Sequence, residues 1–402
     1  MSRMSLPANV RLIDASRGFG TSDVVAPMLV NGYTALTVPP WFRAMRFLSE
    51  ALASFPRSVH KDGARPAAGA PPHPVDRLLK RRPNPLRNPF VFWSTWYLHA
   101  CHTGNGYARV RRDPLTYRPT ALENLPPERV VPFQYDPSEG VDGLQQWYYD
   151  TVAKEILPAA DVLHLSGLGW AGMSGADPVD LHAGALNRAA MLDAYATKFV
   201  QKGTVIRSAV LIKKSMDDEK LAQFRAVLRT FQGPAGEDGP LILTDDADIK
   251  NVGMTPQEGQ IAEQGNLTVR AVAQITGVPP ALLMDLTDSR YSNNVEMQGQ
   301  DVVRYCLRPW LVQAEDELTA KLLTEAELDE GYTVKIDPNA LLRGDTKAVN
   351  DSVTATTNAG LTTKNEGRAV LGYPPSDDPG ADKLKAIGDT APATAPLGAA
   401  AA

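Results

Sequence analysis

A helix, a polar gap and a longer helix follow one another between residues 255 and 323, and the rest of the chain is arranged around them. Thr255 and Glu258 form a helix start, because a threonine hydroxyl and a glutamate three residues later satisfy N–H groups that the first turn leaves unpaired. Gly277 can adopt the left-handed conformation that ends a helix, and two prolines follow it. The pattern predicts a helix over 256–276.

The polar gap has almost nothing to bury. Residues 286–294, LTDSRYSNN, are rich in residue types that prefer turns, so they predict a solvated loop. The helical pattern returns over 295–323 with Pro309 inside it. A proline ring removes the hydrogen bond to the carbonyl of Tyr305 and opens that turn, so we expect a kink at Pro309.

Length and composition limit the class of protein. The 402 residues suffice for two or three domains, and 43% hydrophobic with 22% charged residues is typical of a globular protein. No apolar run reaches the roughly 20 residues that a bilayer requires, and the N-terminus lacks a secretory pattern, which predicts a cytoplasmic protein without a membrane span. Cys101 and Cys306 are too few for a disulfide framework and are expected in the core. A net charge of −5 argues against tight binding of nucleic acid.

Periodicity along the rest of the chain predicts an α+β fold. Helical patterns cover 39–56, 74–79, 89–103, 177–203, 215–232, 339–349 and 364–371. Short segments in which apolar and polar residues alternate predict strands within 107–149 and at 209–212, 241–244, 249–252 and 332–336. The tail from residue 389 is Ala, Pro and Thr and is expected to be disordered.

Patterns that carry chemistry are missing or incomplete. No GxxxxGK[ST] phosphate loop occurs, so ATP hydrolysis is not expected. The glycine-rich stretch around Ser166 and Ser174 lacks the GxSxG spacing of a serine hydrolase. His99 and His102 have no second ligand pair for zinc, and no catalytic residue, metal or cofactor is expected. The basic run 80–82 has no alternating aromatic residues, which favours a solvated face or a subunit contact over DNA binding.

Several short sequence motifs resemble those of the portal protein family of long-tailed bacteriophages, the HK97-like portals. They occur in the family's order: HPVDRLLKRRPNP (73–85), FVFW (90–93), GNGYARVRRD (104–113), DVLHLSGLGWAGMSGADPVDLHAGAL (161–186), ITGVPPALLMD (275–285), YSN (291–293), VVRYCLRPWL (302–311) and NALLRGDTKA (339–348). Each motif alone is weak evidence for the family. Together the motifs extend over roughly residues 34–375 and are specific as a set.

The resemblance implies a multi-domain α+β portal fold. Its parts would be a flexible N-terminal arm (1–33), an α+β wing (34–177), a stem helix (178–203), an α/β clip (204–254), a second stem helix (255–277), a tunnel loop (286–294), a long kinked wing helix (295–330), a crown-like strand and helices (331–388) and a disordered tail (389–402).

The resemblance also implies a function. The chain would form a homo-oligomeric ring, a dodecamer, at one capsid vertex of a virion assembled in the bacterial cytoplasm. Its partners would be the terminase large subunit, the major capsid protein, a head–tail adaptor, and double-stranded DNA that passes without sequence recognition. Pro309 would act as a hinge, and the residues facing the DNA channel would be Thr287, Asp288, Ser289, Arg290, Tyr291, Ser292, Asn293 and Asn294.

Other interpretations remain open from the sequence. The segment 286–294 can be an ordinary loop between helices. The portal can belong to a defective prophage or a gene-transfer particle. Outside this family, the alternatives are a serine hydrolase around Ser166 or Ser174 and a monomeric adaptor that binds only protein.

Overall fold

The chain is an α+β protein in which two compact units share one polypeptide. A computed structural model describes residues 30–64, 71–134, 146–169, 172–201, 208–212, 247–251, 258–284, 300–338 and 346–385. Of these, the first unit contains the residues within 45–177 and those after 290, and the second contains the residues within 21–44 and 178–289. Along the chain the described residues therefore alternate between the units: those within 30–44 belong to the second, 45–177 to the first, 178–284 to the second and 300–385 to the first.

The helices occupy both units. The α-helices of the described residues are α1 (Gly32–Ala35), α2 (Pro39–Ser54), α3 (Pro89–Thr103), α4 (Pro178–Leu181), α5 (Ala183–Gln201), α6 (Glu258–Thr276), α7 (Arg308–Leu322), α8 (Glu325–Asp329), α9 (Thr346–Asn358) and α10 (Lys364–Val370). Two further segments are π-helical, Arg77–Arg81 and Val302–Leu307.

The strands form small antiparallel sheets. They are β1 (Arg57–Lys61), β2 (Asn105–Arg112), β3 (Pro119–Leu125), β4 (Val130–Gln134), β5 (Gln146–Asp150), β6 (Glu155–Pro158), β7 (Val162–Ser166), β8 (Ser208–Ile212), β9 (Ala247–Asn251) and β10 (Tyr332–Ile336). In the first unit, β1 pairs with β10, and two three-stranded sheets have the orders β3-β2-β7 and β4-β5-β6. In the second unit, β8 pairs with β9.

Most predicted elements that fall on described residues are present, and three predictions were wrong in detail. The helix predicted over 177–203 is interrupted at His182, between α4 and α5. The helix predicted over 74–79 is instead the π-helix Arg77–Arg81, in which the N–H of Arg82 reaches back to the carbonyl of Arg77. The helix predicted over 339–349 is described as α9, which ends at Asn358 rather than at Val349, whereas the helix predicted over 295–323 does end at Leu322. The predictions for 1–29, 215–232, 241–244 and the tail after 389 lie outside the described residues.

Helix α3 supplies the aromatic centre of the first unit. Asn88 caps its start by accepting a hydrogen bond from the N–H of Val91. The indole N–H groups of Trp93 and Trp96 are fully buried, and they donate to the carbonyls of Leu79 at 3.2 Å and Gly106 at 3.0 Å. Because a buried N–H without a partner is costly, these bonds fix the orientation of α3 against its neighbours.

The two three-stranded sheets share an apolar cluster. Its buried members come from both sheets, namely Tyr107, Leu125, Val130, Tyr148, Leu157 and Val162. Strand β2 is central in its sheet, and α3 contacts it directly. This cluster and α3 together make the core on which the other elements of the first unit rest.

The chain around the first π-helix forms hydrogen bonds with an edge strand of each of two sheets. The carboxylate of Asp76 accepts a hydrogen bond from the N–H of Val59 in β1 at 3.1 Å. The N–H of Leu122 in β3 donates to the carbonyl of Pro83 at 2.8 Å, and the side-chain amide of Asn84 donates to the carbonyl of Leu122 at 2.9 Å. Edge strands β1 and β3 therefore do not leave these backbone groups unpaired.

A junction of glycines joins the end of α3 to the loop after β7. Gly104 ends α3 with φ of 75°, and its carbonyl accepts a hydrogen bond from the N–H of Gly167 at 2.7 Å. The side chain of Asn105 binds both the N–H and the carbonyl of Gly175, each at 2.8 Å. A Cβ atom on Gly175 would lie 2.0 Å from the carbonyl oxygen of Gly104, so only glycine fits there.

The second unit contains a helix pair. Helices α5 and α6 contact each other, and the strand pair β8–β9 lies between them in sequence. Leu186 of α5 and Val272 of α6 are both buried. At the start of the unit, the N–H of Val30 donates to the side-chain oxygen of Asn187 at 3.0 Å.

The glycine junction yields a stability prediction. We expect Gly175→Ala to lower the free energy of unfolding by about 1–3 kcal/mol, because the added methyl group overlaps backbone atoms that cannot rotate away. The matched control is Gly167→Ala, whose added Cβ would meet its nearest atom at 3.5 Å and should be tolerated. Urea unfolding followed by tryptophan fluorescence measures both, and equal midpoints for the two variants would contradict the prediction.

Candidate functional site

The loop that the sequence predicts to face DNA connects the two units. All eight of its candidate residues, Thr287, Asp288, Ser289, Arg290, Tyr291, Ser292, Asn293 and Asn294, lie outside the described residues, so their role stays a prediction. The chain is described up to Met284 in the second unit and again from Gln300 in the first. The structure therefore defines how each end of this segment is held within its own unit.

The end in the second unit is a fixed turn. Helix α6 ends at Gly277, which has φ of 70° and donates its N–H to the carbonyl of Ala273. A short 3₁₀ helix, Pro280–Leu283, follows, and the guanidinium of Arg43 donates to the carbonyl of Leu282 at 3.2 Å. Met284 then leaves the turn in a left-handed conformation with 71% of its surface exposed. The segment after Met284 thus starts from a well-anchored position.

The end in the first unit is a widened helical turn. The π-helix Val302–Leu307 leads directly into α7, and the N–H of Arg308 donates to the carbonyl of Val303, five residues earlier. Pro309 follows in the first turn of α7, where its missing N–H is not needed. The irregularity that the sequence places at Pro309 is thus located one turn earlier, as a π-helical stretch. Whether Pro309 acts as a hinge stays a prediction.

Helix α7 is anchored to β10 through its polar side chains. Its buried stripe is Leu311, Ala314, Leu318 and Leu322. Beside this stripe, the carboxylate of Glu315 accepts a hydrogen bond from the N–H of Ile336 at 2.7 Å, and the hydroxyl of Thr319 accepts one from the N–H of Val334 at 3.0 Å. These N–H groups lie on the edge of β10 that faces away from β1, so α7 completes the edge of this sheet.

The same helix also closes the edge of β7. The carboxylate of Glu317 accepts a hydrogen bond from the N–H of His164 at 2.8 Å, and the ammonium group of Lys321 lies 3.8 Å from that carboxylate. Burial raises the pKa of Glu317 above its ordinary value, although Lys321 and the N–H of His164 oppose this shift. Sequence reasoning missed Glu315, Glu317 and Thr319, which could have been found as polar residues flanking the apolar stripe of α7.

His164 links this edge to the glycine junction. One ring nitrogen, Nε2, lies 3.1 Å from the side-chain oxygen of Asn105, and the other, Nδ1, lies 3.1 Å from the hydroxyl of Tyr148. Because the Asn105 oxygen also accepts from the N–H of Gly175, the network assigns the proton to Nε2, with Nδ1 accepting from Tyr148. Burial lowers the pKa of His164 to about 3, so the ring is neutral at neutral pH.

The serines around β7 do not form a hydrolase arrangement with His164. The hydroxyl of Ser166 accepts from the side-chain amide of Gln313 at 3.3 Å, while both ring nitrogens of His164 have the other partners named above. Cys101 and Cys306 are buried free thiols, as expected. Within the described ranges, no cluster of side chains suited to a metal ion occurs, and no helix is long and apolar enough to cross a bilayer.

The described residues thus hold both ends of one polar segment. Its first end, at Met284, lies in the unit that contains the helix pair α5 and α6, and its second end, at Gln300, lies in the unit in which α7 is bonded to two sheets. A family model described as "Phage portal protein" matches residues 39–372. This match extends over most of the chain, so the chain belongs to the phage portal protein family. This match confirms the resemblance that the sequence motifs indicated. The portal family is structural rather than enzymatic.

Known relatives agree with this assignment. The portal protein of Enterobacteria phage HK97 is 24% identical over 392 residues, which cover 92% of this chain and 88% of that protein. Among solved structures, a chain from the "Neck of native GTA particle computed with C12 symmetry" is similar with a TM-score of 0.57 at 21% identity, covering 86% of this chain and 94% of that one. An HK97 family phage portal protein from Corynebacterium diphtheriae has a TM-score of 0.53 at 17% identity, covering 78% and 97%. The α+β portal fold is thus confirmed.

The burial of Glu317 predicts a pH-dependent stability difference. Its folded pKa lies above the ordinary 4.5, so its contribution to stability is fully present below 4.5 and is lost as pH rises through the folded pKa. Glu317→Gln keeps an oxygen acceptor for the N–H of His164 and does not ionise. We therefore expect the stability of Glu317→Gln relative to wild type to increase as pH rises from 4.5 and then to level off.

The control for this experiment removes the acceptor. Glu317→Ala leaves the buried N–H of His164 unpaired and should lower the free energy of unfolding by about 1–3 kcal/mol. Urea unfolding of the three proteins between pH 4 and pH 8 separates the two effects. A difference between Glu317→Gln and wild type that does not change with pH would contradict the raised pKa.

Proposed function

We propose that this chain is the ring-forming portal at one capsid vertex, through which double-stranded DNA enters and leaves the particle. The single observation that carries the proposal is membership of the portal family over residues 39–372. In this role the ring also docks the terminase large subunit during packaging and a head–tail adaptor afterwards, and it contacts the major capsid protein. The virion is then its final location, after assembly in the bacterial cytoplasm.

A ring of twelve copies is the proposed assembly. The support comes from a similar solved chain, whose particle neck was computed with C12 symmetry. A ring needs a head-to-tail interface, in which two different surfaces of one copy meet on neighbouring copies. In the wing, stem and clip arrangement, the proposed stem helices are α5 and α6, and their direct contact supports this assignment.

Geometry and weak charge are the proposed basis of DNA passage. A tight nucleic-acid binder gains affinity by neutralising many phosphates, and a ring multiplies every such contact by its copy number. A net charge of −5 and a polar loop with one Asp and one Arg suit a channel that surrounds DNA without gripping it. Short polar side chains in residues 287–294 can exchange water for phosphate contacts at little net free energy.

A portal of a gene-transfer particle is the second candidate, because similar solved chains come from structures described as a native gene transfer agent particle. The physical role of the ring is the same in both cases. Sequencing the DNA inside purified particles distinguishes them: a phage encloses one repeated genome, whereas a gene-transfer particle encloses mixed host fragments.

Electron microscopy tests the ring directly. We expect negative-stain images of the purified chain to show closed rings with a central opening, and mass photometry to give a species of about twelve copies or a neighbouring count. A protein that stays monomeric at every concentration and in the presence of capsid protein would instead favour the adaptor interpretation.

Deleting Ser289 to Asn293 tests the channel loop. We expect particles carrying this deletion to contain less DNA, because the ring loses its polar contacts with the duplex while the two anchored ends remain. Packaged DNA per particle, measured by quantitative PCR after nuclease treatment, gives the result. A Gly-Ser replacement of equal length separates loop length from side-chain chemistry, and normal filling by the deletion variant would remove the assignment.

A further inference from the structure

The exposed side of the π-helix before α7 carries two arginines and a tyrosine. Along this stretch, pairs of buried residues alternate with pairs of exposed ones. The buried residues are Val302, Val303, Cys306 and Leu307. Arg304, Tyr305 and Arg308 lie on the other side, where all three are exposed, and Tyr305 is 71% exposed. We name these three residues the arginine face.

The charges of the arginine face have no counterion in the part of the chain that the structure describes. Arg304 and Arg308 form no ion pair there. Asp301, the acidic residue nearest to Arg304 in sequence, does not pair with it, and Glu315, the next acidic residue after Arg308, is bound to the N–H of Ile336. Two exposed guanidinium groups are thus available to an anionic ligand.

The backbone under the arginine face is held in place. The side chains of Leu307 and Leu311 are buried in the core, and the hydrogen bond from the N–H of Arg308 to the carbonyl of Val303 closes the wide turn. A surface whose backbone is already ordered loses little conformational entropy on binding, so only the rotamers of the long side chains become restricted.

The chemistry of the arginine face suits phosphate groups. Arginine and tyrosine are among the side chains that contact phosphate in protein–DNA complexes. A guanidinium can bind phosphate through two parallel N–H groups, and a tyrosine hydroxyl adds one further donor. Contacts of this kind do not read bases, so the face would bind duplex DNA of any sequence.

The arginine face follows the polar segment closely in the chain. Asn294 is the last residue proposed to face the DNA channel, and Arg304 is ten positions further on. Ten residues span at most about 35 Å even when fully extended, which limits the distance between Asn294 and Arg304. A duplex in contact with the polar segment therefore passes near the arginine face.

We propose that Arg304, Tyr305 and Arg308 bind phosphate groups of the duplex that passes through the ring. This inference rests on the proposed function and assigns a charged DNA contact outside the polar segment. The phosphates of a duplex follow a helical path, whereas equivalent residues of a ring lie at one level. Only the copies next to a strand bind at any moment, so the contact remains compatible with movement of the DNA.

Duplex binding by charge-neutral variants tests the proposal. We expect R304Q/R308Q to bind a fluorescein-labelled duplex at least about tenfold more weakly than wild type in about 50 mM salt, because two phosphate contacts are lost. The slope of log affinity against log salt concentration should become smaller by about two. Y305A should weaken binding less, since it removes no charge. Fluorescence anisotropy across a salt series gives both quantities.

The matched control is R81Q/R82Q, which removes the same charge from exposed arginines far away in the sequence. It should leave the affinity for the duplex close to that of wild type. Circular dichroism and thermal unfolding check that each variant is folded. An equal loss of affinity in both double variants, or no binding of the duplex by wild type at low salt, overturns the arginine face.

Ring assembly, followed by mass photometry, tests the other occupant. Val312 lies on the same side of the helix and is 46% exposed, so a second copy of the chain is the alternative partner. Loss of rings in R304Q/R308Q would show a contact between copies and overturn the phosphate site, while rings of wild type leave the portal function standing. Wild type that forms no rings under any condition contradicts the portal function itself, whatever its affinity for the duplex.

Discussion

The first unit depends on one helix that satisfies the open backbone edges of two sheets. Glu315 and Thr319 of α7 accept the outward N–H groups of β10, and Glu317 accepts that of β7. An unpaired N–H at a buried edge costs about 1–3 kcal/mol, so α7 cannot move without exposing several at once. The segment 285–299 is followed by the π-helical stretch Val302–Leu307, which leads into this helix.

The junction behind α7 explains why the loop after β7 is rich in glycine. Gly104 and Gly175 approach so closely that a Cβ atom would overlap backbone atoms, and Asn105 binds both backbone groups of Gly175. Asn105 also meets the neutral ring of His164, whose backbone N–H is bound by Glu317. The glycine-rich loop that partly resembles a catalytic serine loop is therefore a packing site at which two backbone segments meet. Its polar groups bind one another, and the network stabilises the unit only while every member has its partner.

Each end of the polar segment is fixed in a separate unit, by the turn at Gly277 in one and by the π-helical turn and α7 in the other. Membership of the portal family supplies the biological context for such a segment. The portal role proposed above rests on that membership.

The sequence by itself determined the α+β class, the ends of α3 and α6, and the family. Stops such as Gly277 and apolar periodicity are local signals, and several family motifs in the family's order are specific. The sequence did not determine the partners of Glu315 and Glu317, the π-helical turns or the contact of Gly104 with Gly175. These depend on residues far apart in the chain, because which edge N–H needs an acceptor is decided only when strands and helices meet. Tertiary structure alone brought α7 to the open edges of β7 and β10, since a sequence pattern shows which residues are polar but not which strand edge they meet.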